Sequence, residues 1–256
     1  MFSLTRKKKP APRRAPRPDR KEERVLAVHG RPVPLTIRHH VRATRITLRI
    51  EPGGRALKMT VPHGLPEREL SAFLKRHQVW LENKLFDFPD DTRPLPGGTI
   101  LIRGREHRIE HTGKLRGLTE TLEVDGEAVI RVSGLEEHTG RRIADYLKKA
   151  ARAELERLVE HHTAKIGKKH RDLTLKDTRS RWGSCSSTGN LNFSWRIAMA
   201  PADVIDYLAA HEVAHLKEMN HGPNFWALCE KLCPGMEPSK AWLKAHGSTL
   251  HAIDFT

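Results

Sequence analysis

The chain has 256 residues, 38% of them hydrophobic and 30% charged, enough apolar material for one large domain or two smaller ones with real cores, which excludes collagen-like and wholly disordered classes. No run approaches the roughly 18 apolar residues that a membrane-spanning helix needs. The net charge of +15 admits contact with polyanions, and three cysteines (Cys185, Cys229, Cys233) make no disulfide framework, which points to a reducing cytoplasm.

The first 24 residues hold ten Lys/Arg against three Asp/Glu and are broken up by Pro10, Pro12, Pro16 and Pro18. With no apolar run to form a secretory signal core, they predict a disordered basic tail over residues 1–24 with weak, non-specific affinity for nucleic acid. Beyond it Ile46, Leu48 and Ile50 alternate with polar residues, Leu57, Met59 and Val61 repeat the pattern, and Glu51-Pro52-Gly53-Gly54 supplies turn chemistry; together they predict a β-hairpin. Pro66 opens a single helix in which Leu70, Phe73, Leu74, Trp80, Leu81 and Leu85 keep helical spacing. Short strands follow around 100–102, 105–110, 122–124 and 128–132, so residues 25–138 read as a β-rich domain with one helix.

From Gly140 the apolar period lengthens to that of a helix, with Ile143, Leu147, Ala150, Leu155, Leu158 and Val159 on one face through about Ile166. Residues 139–256 read as a second unit, with strands at 173–177 and 190–196, a helix opened by Pro201 and Asp203, and further helices over 225–232 and 239–244. The expected fold class is α+β, a β-rich N-terminal domain followed by an α+β catalytic domain.

One segment demands a chemical reading. His211-Glu212-Val213-Ala214-His215 places two histidines four apart on a helix, where both imidazoles project from one face and reach a single zinc ion. Glu212, beside the first of them, is placed to take the proton of an attacking water and return it to a leaving group. Met219-Asn220 lets the chain turn, which makes His221 the expected third ligand on local reach, with Glu230 and Glu237 as rivals.

Arg181-Trp182-Gly183-Ser184-Cys185, Leu191-Asn192-Phe193, Trp195-Arg196, Ala200-Pro201, Val204-Ile205-Asp206-Tyr207, the H-E-x-x-H segment and Asn220-His221 through Phe225-Trp226 resemble the YgjP-like metal-dependent hydrolases. These group with SprT-like and WLM zinc metallopeptidases. The resemblance implies a zincin-like α+β minidomain with His211, His215 and His221 as ligands and Glu212 as catalytic residue. The glycine that metzincins place before the third histidine is replaced by Glu218, so Met236 is read as packing rather than as their Met-turn.

In the hairpin of residues 181–196, an edge strand beside the metal offers backbone pairing to an extended substrate, while Arg181 or Arg196 binds a carboxylate or phosphate; alternatively the arginines pair with Asp or Glu. Trp182, Phe193 and Trp195 read as core, and Cys185, Cys229 and Cys233 as packing thiols. The leading expectation is a cytoplasmic zinc metallopeptidase acting on peptides or proteins. A metal-dependent nucleoside triphosphate pyrophosphohydrolase is the alternative, and a nucleic-acid-associated protease or binding module is the third reading.

Overall fold

The computed structural model describes residues 19–28, 30–51, 54, 56–86, 92–178 and 181–256. Residues 1–18, most of the expected tail, and Pro52 and Gly53 of the expected turn lie outside them. The chain divides into two compact units, Met1–Asp87 and Phe88–Thr256, each of which mixes helices and strands.

In the first unit the strands β1 (Arg20–Val28), β2 (Arg31–His40), β3 (Thr47–Ile50) and β4 (Leu57–Pro62) form one sheet in the order β1-β2-β4-β3. The expected hairpin is present: β3 and β4 pair antiparallel, with Leu48 opposite Met59 and Ile50 opposite Leu57. Period-2 alternation puts Leu35, Ile37, Leu57, Met59 and Val61 on the buried face. The tail expected through residue 24 is too long. Strand β1 begins at Arg20 and pairs with β2 over its whole length, and Arg24 is held by Glu22 and Glu67, both at 2.6 Å, so its charged residues have partners that a composition argument does not see.

The helix expected to be single is two, α1 (Glu67–Arg76) and α2 (Gln78–Phe86). The break falls at His77, whose backbone leaves helical geometry (φ −100°, ψ 7°). Its ring turns back to stack on Phe73 at 4.0 Å and bonds the Phe73 carbonyl at 2.8 Å.

The second unit opens with β5 (Thr99–Ile102), β6 (Arg105–His111), β7 (Glu120–Val124) and β8 (Glu127–Val132), ordered β5-β6-β8-β7. It has the same pattern of parallel and antiparallel pairs as the first sheet. The 28-residue α3 (Thr139–Ile166) follows, ended by Gly167 in the left-handed conformation. Then come β9 (Asp172–Lys176), β10 (Gly183–Cys185) and β11 (Asn190–Ser194) in a second sheet ordered β10-β11-β9, a 3₁₀ turn (Trp195–Met199), and the helices α4 (Ala202–Ala214), α5 (Pro223–Leu232) and α6 (Glu237–Ala252).

The boundary expected at 138/139 is therefore corrected to 87/88. Ile100, Ile102, Ile109, Ile130 and Val132 of the β5–β8 sheet share one core with Ile143, Leu147 and Leu155 of α3 and with Val204, Leu208 and Val213 of α4. Each such side chain contributes about 1.5–3 kcal/mol when removed from water, so sheet and helices are held as one body. At its turn, Gly104 (φ +77°) lies against Pro201, where a Cβ would come within 2.8 Å of the proline ring. That close approach ties the sheet to the start of α4. Among the described residues, no helix is long and apolar enough to cross a membrane.

Candidate metal centre

α4 is buried on almost every side, through Val204, Ile205, Tyr207, Leu208, Ala209, Ala210, Val213 and Ala214, as a helix that is apolar all round must be. Its last turn carries His211 and, at the C-cap, His215, with ring centroids 5.1 Å apart. The helix stops at Ala214 because the next amides tighten: Leu216 donates to Val213 at 3.0 Å and Lys217 to Ala214 at 3.0 Å. A second tight turn, in which the Gly222 amide donates to the Asn220 carbonyl at 2.7 Å, delivers His221.

The three imidazoles converge. His221 Nε2 lies 3.1 Å from His215 Nε2 and 3.2 Å from His211 Nε2, and one ligand atom from each lies within 4.8 Å of both others. Ligands at about 2.0–2.1 Å around a tetrahedral zinc stand about 3.3–3.4 Å apart, so the nitrogens need only a slight spread to hold one. Their chemistry fits as well. Burial, then His215, His221 and Lys240, pull His211 down to about 4, and burial lowers His215, so these two rings are neutral at pH 7 and offer lone pairs. His215 Nδ1 donates to the Glu218 carbonyl at 3.0 Å, which leaves its Nε2 free to coordinate.

Glu212, next in sequence to His211, lies against Gly183 of β10. It is 4% exposed, its Oε2 is buried without a hydrogen-bond partner among the described residues, and burial pushes its pKa up to about 8. A buried carboxyl oxygen with no partner is costly. The strand beside it supplies the room. A Cβ on Gly183 would stand 2.6 Å from both Cγ and Cδ of Glu212, so only glycine admits the carboxylate there. The close approach of a backbone is what an isolated strand glycine can signal in a sequence, and it is the feature that reading the motif missed.

Aromatic residues to which the sequence reading gave no place at the histidines frame the site. Phe225 lies under all three histidines, with ring centroids at 4.9, 4.5 and 4.6 Å from His211, His215 and His221. Trp226 stacks on His221 at 5.7 Å. Trp182, next to Gly183, is half-buried, stacked on His251 at 4.0 Å; Phe193 and Trp195 are core, as expected.

Arg196 is held within the protein, in the Asp pairing that the sequence left open as the alternative. It is buried, its Nε donates to Asp177 Oδ1 at 2.6 Å and its Nη2 to Oδ2 at 3.3 Å, and its Nη1 donates to the Leu250 and Ile253 carbonyls at 3.2 and 2.7 Å. The guanidinium caps the end of α6 and spends four of its five N–H donors within the protein. Arg181 is exposed and its side chain has no partner among the described residues. The rival ligands stand outside the cluster: Glu230 accepts from the Gly235 amide at 2.9 Å and Glu237 pairs with Lys240 at 3.0 Å. Burial holds all three thiols high, to about 12 at Cys229 and Cys233, so none is a thiolate nucleophile.

The profile of the YgjP-like metallopeptidase domain matches residues 44–246. The chain belongs to this family. The YgjP-like match runs from just before β3 into α6 and so takes in the histidine cluster, Glu212 and Gly183. Among solved structures the chain is similar to the crystal structure of the metallopeptidase zymogen of Pyrococcus abyssi abylysin, at 22% identity and a TM-score of 0.33 over 36% of this chain and 92% of that one, too partial a likeness to argue from. No curated protein matches. Within this YgjP-like chain, residues 88–256 hold 25 Lys/Arg against 23 Asp/Glu, so the positive excess lies almost wholly N-terminal to the unit with the histidines.

Proposed function

We propose that the chain is a zinc-dependent metallopeptidase that hydrolyses peptide bonds, with His211, His215 and His221 as ligands, Glu212 as general base, and α4 with the β9–β11 sheet as its zincin-like minidomain. The observation that carries this reading is the convergence of three Nε2 atoms beside a buried carboxylate without a partner. Held there by His211, His215 and His221, a divalent cation would polarise the scissile carbonyl and the attacking water, and would favour the ionised form of Glu212 against its burial. The Glu212 carboxylate accepts one proton from that water as its oxygen bonds to the carbonyl carbon. It then gives the proton to the amide nitrogen as the C–N bond breaks. β10 pairs on one side with β11 and is an edge of its sheet, so its free side offers an extended peptide the backbone bonds that would hold it past Glu212.

The phosphate alternative loses support on two counts: Arg196 is committed to Asp177 and α6, and the unit with the histidines is close to charge-neutral. The test is turnover of zinc-loaded protein on unfolded protein, peptides and nucleoside triphosphates, for the natural chain and for Glu212→Gln. The variant should keep its zinc and lose about 10²-fold or more in peptide cleavage. Full rates in Glu212→Gln, or triphosphate hydrolysis with no peptide cleavage, would overturn the reading.

A further inference from the structure

Lys240 has a position that the chain's stability does not account for. It lies in the first turn of α6, where a cation opposes the positive end of the helix dipole. Its partner Glu237 is three residues away at 3.0 Å, and both side chains are exposed, so the pair adds little to stability. Its ammonium stands 4.2 Å from the centroid of the Trp226 ring, and that ring lies 5.7 Å from His221 and 5.9 Å from His211. The charge therefore sits within about 10 Å of both ligand rings. A cation resting on an indole beside the three clustered imidazoles raises the positive potential around them, and an anion placed there gains from it.

We propose that Lys240 is a specificity-determining residue that binds a substrate carboxylate, supplied by an acidic side chain or a free chain terminus within about three residues of the scissile bond. The span follows from the roughly 3.3–3.6 Å that one extended residue covers. The indole of Trp226 aims the ammonium, and Glu237 is the group that the substrate carboxylate displaces. This inference rests on the metallopeptidase reading, so the experiment separates the two.

The protein is zinc-loaded and carries Glu212→Gln, so that bound peptides persist. Calorimetric titration uses blocked alanine pentapeptides with Glu or Gln at each position in turn, and pentaalanine with a free or amidated C-terminus. At one position, or at the free terminus, the carboxylate should bind about tenfold or more tightly than its amide, as loss of a charged hydrogen bond implies. The preference should vanish in Lys240→Met, which keeps the stem on the indole, and return in Lys240→Arg. In the protein with Glu212 intact, Lys240→Met should raise KM for the preferred acidic peptide and leave kcat and the amide peptide unchanged. Equal binding of acid and amide, no measurable binding of any peptide, or a preference that persists in Lys240→Met would overturn the proposal. A carboxylate preference with no cleavage of any peptide would overturn the metallopeptidase reading and leave Lys240 as a carboxylate site; cleavage without preference would do the reverse.

Discussion

Replacing Gly183 with alanine is the sharpest perturbation, because it adds one methyl group and touches no ligand. The new Cβ would fall 2.6 Å from Cγ and Cδ of Glu212, where ordinary carbon contacts are about 3.5–4.0 Å. Relief demands a shift of about 1 Å, and since the overlap takes in Cγ of the stem as well as the carboxyl group, a rotation of the carboxylate alone does not provide it. Overpacking of this kind costs about 1–3 kcal/mol, or roughly 2–10 °C in Tm for a unit of this size. Displacing a catalytic carboxylate by about 1 Å costs about 10²-fold in rate. Zinc content should stay at the natural level, since His211, His215 and His221 are untouched. Gly222→Ala is the control. Its Cβ meets nothing within 4 Å although it adjoins His221, and it should leave rate and stability nearly unchanged. The assay is kcat at 25 °C beside zinc content and a thermal melt. A Gly183→Ala protein with full zinc and a kcat within about twofold of the natural one would refute the claim that this glycine seats the carboxylate.

Alanine at His211, His215 or His221 should sharply reduce bound zinc, whereas alanine at Glu230 or Glu237 should not, as metal analysis of the purified proteins would read directly. Arg196→Lys should cost about 2–4 kcal/mol in denaturant unfolding, because a lysine cannot bridge Asp177 and two α6 carbonyls at once, while KM stays the same; a raised KM at natural stability would reinstate Arg196 as a substrate ligand. Burial and the Arg196 guanidinium hold His251 down to about 4, with Asp177 opposing. The folded state therefore binds fewer protons there than the unfolded one from about pH 6.5 down to that value, and stability falls as pH drops through the window. His251→Phe keeps a ring against Trp182 and should lose less stability between pH 6.5 and 5, by under about 1.4 kcal/mol per pH unit since His251 is partly solvent-exposed; identical pH slopes for the two proteins would contradict it.

The histidine cluster was legible because its members are local. Two histidines four apart share a helix face whatever surrounds the helix, and His221 follows too closely to go elsewhere once the chain turns. The β3–β4 pairing was legible for the same reason, through alternation over a dozen residues. What the sequence left open depends on contacts between distant residues. Arg181 and Arg196 look alike in the motif, yet one is exposed and the other is locked between Asp177 and the end of α6, 54 and 57 residues away. Strand β1 reads as part of a charged tail until β2 pairs with it and Glu67 meets Arg24. The unit boundary falls at 87/88 because the β5–β8 sheet buries its apolar face with α3 and α4, a choice of partner that period-2 alternation does not encode. Gly183 signals at most a close approach of some backbone; that its partner is Glu212 exists only in the packed structure. Periodicity along the chain determines which face of an element is apolar or ligating, and only the packed structure decides which faces meet, because burial and charge pairing are satisfied in space and not along the sequence.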